Sequence, residues 1–386
     1  MAHTFQPGLK PRAWLPLLLC LAAAPAEAQS PSANERPAAP LSSLSGYMDV
    51  QFVNPSNADA FIDFRRFVLI FAHRFSDRIR FVSELEVEHA VVEGGEDKGE
   101  LELEQAYLDF LIDRRFSIRA GQLLVPVGII NERHEPPTYY GVHRPFVDTF
   151  IIPTTWFDAG VGVFGEAGRG WRYRAYAMAP LDAAEFSAEE GLAESPQKGS
   201  RAIVRHWAGT GRLEYLGIPR LTLGASFWTG RATAGAATSD PRVTLVEGDG
   251  RGRIGRLELR GEIARVFMNE NDAATLNRLR ALREGIDPNL ASQLFGAYIE
   301  AAHPLTPFPA PREVVGFVRY ERFDTQYRMP PGYVPLPEFK RSAWIVGASY
   351  FPDPDVVVKV DYTVEMNESA TMKAPRAFSV GLGWWF

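Results

Sequence analysis

Cysteine is almost absent from this sequence: Cys20 stands alone, inside an apolar run near the N-terminus. A disulfide framework is excluded, and so is thiol catalysis in anything downstream. A lipid-modified cysteine would need a small residue before it, and Leu19 stands there. Lysine is scarce as well: Lys10, Lys98, Lys198, Lys340, Lys359 and Lys373 are the only six among 41 basic residues, so the positive charge is almost entirely guanidinium. No stretch beyond the N-terminus reaches 18 consecutive apolar residues, which excludes helical membrane spans. The net charge is −6, which argues against nucleic acid as a partner.

What is present begins with an export pattern. Lys10 and Arg12 precede the apolar run Trp14 to Ala24, and Pro25-Ala26-Glu27-Ala28 follows, an A-x-A pattern that suits cleavage before Gln29. Residues 1–28 are therefore expected to be a signal peptide, 29–44 a flexible periplasmic lead-in rich in Pro, Ala and Ser, and 45–386 one domain.

That domain reads as sixteen segments rich in Val, Ile, Phe, Tyr and Leu, cut by Gly, Pro, Asp and Asn: roughly 45–53, 61–75, 78–92, 100–112, 115–127, 156–167, 170–179, 202–216, 220–231, 242–249, 253–267, 293–305, 312–324, 341–352, 355–367 and 374–386. Fourteen and eighteen stay open as neighbouring even totals. Joints alternate strictly between short ones, such as Ser76-Asp77, Gly250-Arg251-Gly252 and Pro352-Asp353-Pro354, and long ones, up to 128–155. One rim is thus tightly turned and the other elaborated, as in a transmembrane antiparallel β-barrel with short periplasmic turns and long external loops.

The faces agree. The chain ends "AFSVGLGWWF", in which Phe378, Val380, Leu382, Trp384 and Phe386 alternate with Ala377, Ser379, Gly381 and Gly383. A large apolar face toward lipid and a polar or small face toward water is the expected arrangement. Only 61–75 resists orientation, because Phe67, Leu69 and Phe71 compete with Val68, Ile70 and Ala72. The stretch 269–293 reads as a helix in an external loop, capped at Asn271 or Asp272, and is large enough to act as a lid.

By alternation, Arg78, Arg80, Arg119, Arg172, Arg174, Arg212, Arg256, Arg260, Arg319 and Lys359 face inward with Glu84, Glu86, Glu88, Glu214, Glu258, Glu262, Glu321, Asp361 and Glu365. Neither sign dominates, so weak ion selectivity is expected.

Several patterns are decoys. Gly160, Gly162 and Gly165 match G-x-G-x-x-G, but a turn and strand follow them instead of a helix. His134-Glu135 opens like a zinc-protease helix, yet Pro136-Pro137 forbids that helix, so no metal is expected there. Glu84, Glu86, Glu88, Glu100, Glu102 and Glu104 could gather a divalent cation, although a solvated strand rim is the favoured reading. His73, His89, His206 and His303 could serve an outer-membrane lipid hydrolase, but no G-x-S-x-G elbow accompanies them. No cofactor and no enzyme activity are expected; a plugged adhesin or structural barrel stays open.

The informative loop is "GIINERHEPPTYYGVHRPFVDTFIIPTTW" at 128–156, polar and aromatic at once. Folded into a wide barrel it would bury Ile, Phe and Tyr on the inner wall and set Glu132, Arg133, Glu135 and Asp148 at a constriction, its acids opposite wall arginines. An ordered external cap is the competing arrangement.

The blocks "FRRFVLIFAHRFSDRIRFVSELEVEHA", "ELELEQAYLDF", "RAGQLLVPVGIINERHEPPTYYGV" and "IIPTTWFDAGVGVFGE" resemble the Gram-negative outer-membrane porin family that includes the phosphate-selective porins O and P. The resemblance covers roughly residues 44–170. It implies a sixteen-stranded, trimeric porin of the bacterial outer membrane, passing small hydrophilic solutes and ions among lipid, with 128–155 as its constriction. Phe386 resembles the terminal aromatic read by the outer-membrane barrel assembly machinery. Phosphate selectivity does not carry over, because the loop 128–155 has no lysine.

Overall fold

A computed structural model describes residues 41–90, 99–233, 240–285, 287–307 and 312–386. The expected signal peptide lies outside the described residues, as does most of the lead-in. The sixteen strands are β1 (Ser42–Pro55), β2 (Phe61–Ser76), β3 (Ile79–Glu88), β4 (Leu101–Leu111), β5 (Ser117–Leu124), β6 (Phe157–Gly168), β7 (Trp171–Met178) and β8 (Ala208–Ile218), followed by β9 (Leu221–Arg231), β10 (Arg242–Ile254), β11 (Leu257–Met268), β12 (Gln293–Pro304), β13 (Glu313–Arg328), β14 (Lys340–Asp353), β15 (Val356–Asn367) and β16 (Arg376–Trp385). Each pairs antiparallel with its chain neighbours, and β16 pairs with β1 from Tyr47↔Trp385 to Pro55↔Ala377, which closes the barrel. Closure leaves no free strand edge, the condition for a sheet in a medium that cannot hydrogen-bond it.

The alternation anticipated from sequence sets the two faces. On β16, Phe378 and Leu382 are about 40% exposed, whereas Ser379, Gly381 and Gly383 are buried. Phe227, Ile263, Ile299, Val346 and Tyr362 continue the outward apolar surface. The ambiguous β2 resolves with Phe67 and Phe71 outward and Arg66 and Val68 inward, and Arg66 meets Asp49 at 3.1 Å. No helix among the described residues is long and apolar enough to cross a membrane, which says nothing about strands.

Among the boundaries that differ from expectation, three have a local cause. Gly250-Arg251-Gly252 reads as a turn, yet β10 runs on through it and the turn falls at Gly255-Arg256, where Gly255 takes φ +60°. The hydrogen-bonded register Arg253↔Glu258 decides that, and no glycine count encodes it. Strand β8 begins at Ala208 and not at 202, because the chain before it folds onto the preceding loop, with Ile203 N donating to Gln197 Oε1 at 2.7 Å. Helix α1 (Glu270–Glu284) is capped by Asn269, whose side chain accepts from Asn271 N at 2.9 Å, and ends on left-handed Gly285.

A loop folded across the barrel

The β5–β6 connection leaves the wall with Val125, Val127, Ile129 and Ile130 buried, and turns at Gly128 with φ +79°. Asn131 ties its two ends together: Nδ2 donates to the Val125 and Trp156 carbonyls, both at 2.8 Å, and Oδ1 accepts from Trp156 N at 2.7 Å. Pro136-Pro137-Thr138 form a single 3-10 turn, so the proline pair does prevent an α-helix. The loop then crosses to the far wall. Asp361 accepts from Val142 N at 2.6 Å, Lys359 Nζ donates to the Gly141 carbonyl at 2.8 Å, and Ser349 Oγ donates to the Tyr140 carbonyl at 2.8 Å. Arg319 and Arg260 reach the carbonyls of His143 (3.4 Å) and Thr138 (3.3 Å), and Glu321 accepts from Val147 N at 3.2 Å. One loop that starts between β5 and β6 and touches β11, β13, β14 and β15 can do so only from inside the barrel. Trp156 closes the excursion against inward Trp228, ring centroids 5.6 Å apart.

This seat explains the small inner face of the last strand. Val142 Cγ1 and Pro136 Cβ lie 3.2 Å and 2.6 Å from where side-chain carbons at Gly381 and Gly383 would stand.

Of the loop residues singled out from sequence, Glu132 meets a wall arginine, Arg174, at 2.9 Å, and Arg133 is exposed. The other two acids do not stand opposite arginines. Glu135 is half-buried beside His134, and burial raises its pKa. Asp148 points at acids: beside Gly128 its Oδ1 shares space with Glu262 Oε1, and burial followed by the charge of Glu321 raises its pKa well above the usual carboxylate range. The reason is topological, since wall arginines are taken by wall acids on the same or neighbouring strands.

Arg80 and Arg119 share Asp109 (2.5 and 2.7 Å), Arg172 and Arg174 share Glu214 (3.7 and 2.9 Å), and Arg212 meets Glu214, Glu247 and Asp249 at 3.2, 3.3 and 2.6 Å. Arg260 pairs with Glu300 and Glu258 (2.9 and 3.5 Å), and Arg319 with Glu300 and Glu321 (3.2 and 2.7 Å). Lys359 Nζ also lies 3.8 Å from the centre of the Tyr139 ring. Glu84 and Glu86 are buried, and Glu88 reaches Arg65 at 3.2 Å. Arg78 and Arg256 are off the wall: both are exposed in short turns, and Arg256 donates to the Thr306 carbonyl at 2.6 Å. Sequence reading missed Asp49, Arg66, Asp109, Glu247, Asp249 and Glu300, all buried or on the inner face; alternation flags such positions, but which partner each meets depends on register.

Space remains on both sides of the loop. A cavity of about 480 Å³ on the long-loop side is lined by Arg65, Glu88, Glu102, Arg144 and Lys198, and one of about 340 Å³ on the short-turn side by Arg119, Glu132, Glu166, Arg172 and Arg174. Of the histidines weighed for hydrolysis, His73 Nδ1 contacts Ser42 Oγ at 2.7 Å near the end of β2, while His89 pairs with Asp63 near its start, so the two do not join in one site.

No protein-family model matches the sequence. Among solved structures, the anion-selective porin from Comamonas acidovorans shares the fold with a TM-score of 0.57 and 10% identity, over 89% of this chain and 99% of that one. A trimer form of the Vibrio cholerae outer membrane protein OmpT matches with a TM-score of 0.53 and 11% identity, over 89% and 99%. Among sequences, an uncharacterized protein of Aquifex aeolicus (strain VF5) is 34% identical over 329 residues, 84% of this chain and 75% of that one. The protein thus has the sixteen-stranded barrel fold of outer-membrane porins, and it belongs to the same family as the Aquifex aeolicus chain.

Proposed function

We propose that the protein is an outer-membrane porin, a water-filled channel for small hydrophilic solutes and ions, assembled as a homotrimer among outer-membrane lipid and constricted by the β5–β6 loop. The observation that carries this is the loop hydrogen-bonded across the interior, with charged cavities on either side of it, inside a closed barrel whose outer face is apolar. Nothing in this role asks for a cofactor or a catalytic group. Purified protein in a planar bilayer should give steady conductance steps without added substrate; a protein that inserts and stays silent is a plugged barrel instead.

Selectivity should be weak. The charges left facing the cavities are of both signs, Arg119, Arg172 and Arg174 with Glu132 on one side, Glu88 and Glu102 with Arg65 and Lys198 on the other. Lys359, which could have served an anion, is committed to the Gly141 carbonyl and the Tyr139 ring. In a tenfold salt gradient the reversal potential should therefore fall well short of the one-ion limit of about 59 mV; a value near that limit, of either sign, refutes the reading.

Phe386 exchanges two backbone hydrogen bonds with Gly46, both 2.9 Å, and stacks on Phe67 with ring centroids 6.0 Å apart. Read as the assembly signal, it gives a further expectation: its deletion lowers the heat-modifiable, folded fraction recovered from outer membranes, and unchanged recovery removes that role.

A further inference from the structure

Where the loop meets β3 and β4, three metal-ligating side chains converge, one of which, Glu84, also accepts from Tyr47 Oη at 3.1 Å and from Gln105 Nε2. Glu84 and Glu104 project inward from the wall, and His134 descends on them from the loop; all three are buried, and one donor atom from each lies within 4.8 Å of the others. His134 Nε2 is 3.3 Å from Glu104 Oε2 and 3.6 Å from Glu84 Oε1. Its other ring nitrogen, Nδ1, is 3.0 Å from the Asn131 carbonyl, a contact that needs N–H at Nδ1. In the neutral ring the Nε2 lone pair therefore points at the two carboxylates. Beyond their contacts with one another inside this cluster, His134 Nε2, Glu104 Oε2 and the neighbouring Glu86 Oε2 are buried without a hydrogen-bond partner.

An imidazole oriented by a backbone carbonyl, its second nitrogen open beside carboxylates, is how proteins present histidine to a metal. One imidazole with two carboxylates also makes a three-ligand set of the kind that leaves a fourth position on zinc to water. We propose that Glu84, Glu104 and His134 form a divalent transition-metal site, suited to Zn²⁺, that clamps the β5–β6 loop to the wall. Wall and loop each supply ligands, so the ion would cross-link them. The inference rests on the loop lying inside the barrel and not on conduction, so it can fail while the channel reading stands, and the reverse.

A proton competes for the same place. Burial alone would lower the His134 pKa, but Glu104 and Glu84 outweigh it and raise it to about 10. The protonated ring offers one positive charge to Glu84, Glu86 and Glu104, while nearby Arg66 is engaged by Asp49 at 3.1 Å. A dication offers two and uses the open Nε2.

The test is metal binding by the folded, detergent-solubilised full chain after chelator treatment. Equilibrium dialysis against micromolar Zn²⁺ should retain one ion per chain. His134→Gln should weaken binding roughly tenfold or more, while Glu88→Gln, an acid of the same wall that pairs with Arg65, leaves it unchanged. If His134→Gln does not fold, Co²⁺ added to the unaltered protein decides: intense visible bands of a low-coordinate site, bleached by Zn²⁺, support the proposal. No zinc retained, equal retention in His134→Gln, or no cobalt bands would each overturn it and leave the cluster an ion pair.

Discussion

Leucine in place of Gly383 is expected to unseat the β5–β6 loop, the proposed constriction, and raise single-channel conductance roughly twofold or more, with the barrel intact. A carbon at this position would lie 2.6 Å from Pro136 Cβ, closer than side-chain carbons approach. The strand cannot yield, because β16 is hydrogen-bonded on both sides, with Gly383 opposite Asp49 and Val357. The proline pair cannot yield by rotating, because its rings fix φ. What remains is to lift the Pro136–Val142 segment away from the wall. That puts the Val142–Asp361 and Gly141–Lys359 hydrogen bonds at risk, at an overpacking cost of about 1–3 kcal/mol. Val380→Leu, one position from the small inner face and pointing outward, is the control that should change nothing. If Gly383→Leu folds and conducts like the unaltered protein, the loop does not set the narrowest point.

The barrel was legible from period two because strand after strand sets an apolar outer face against a polar or small inner one. Sixteen strands followed from the count of apolar segments, the alternation of short and long joints gave the two unlike rims, and the final strand's unequal faces were visible in ten residues. Register was not legible. Irregularities between Asp49 and Gln51 on β1 and between Glu84 and Leu85 on β3 shift the pairing. On β4 the buried acids are Glu104 and Asp109, of opposite parity, which no alternation rule would bring to one face. Loop geometry was half legible: the apolar content of 128–156 said that it does not wave freely in water, and its proline pair that no α-helix starts at His134. Nothing local placed Asp148 against Glu262, or His134 between Glu84 and Glu104, since those meetings join segments far apart in the chain.

Arg319→Ala is expected to be the most destabilising single change on the wall, costing about 3–5 kcal/mol. Arg319 is 2% exposed and lies between Glu300 and Glu321, themselves 2% and 0% exposed, while a third bond reaches the His143 carbonyl. Removing the guanidinium leaves two buried carboxylates, but not equally. Glu300 keeps Arg260 at 2.9 Å; Glu321 keeps no cation, only the backbone amides of Val147 at 3.2 Å and Phe146. Most of the loss should therefore trace to Glu321. Adding Glu321→Gln to Arg319→Ala should recover a large part of it, because the amide needs no counter-charge, whereas adding Glu300→Gln should recover little. Urea unfolding in lipid vesicles, followed by tryptophan fluorescence, reads all three variants. Arg319→Lys should not rescue, since one ammonium cannot reproduce the forked contact to both acids and the carbonyl. A loss below about 1 kcal/mol, in the range of exposed pairs, would mean that water reaches this wall behind the loop, and the loop would then lie off the far strands instead of sealing them.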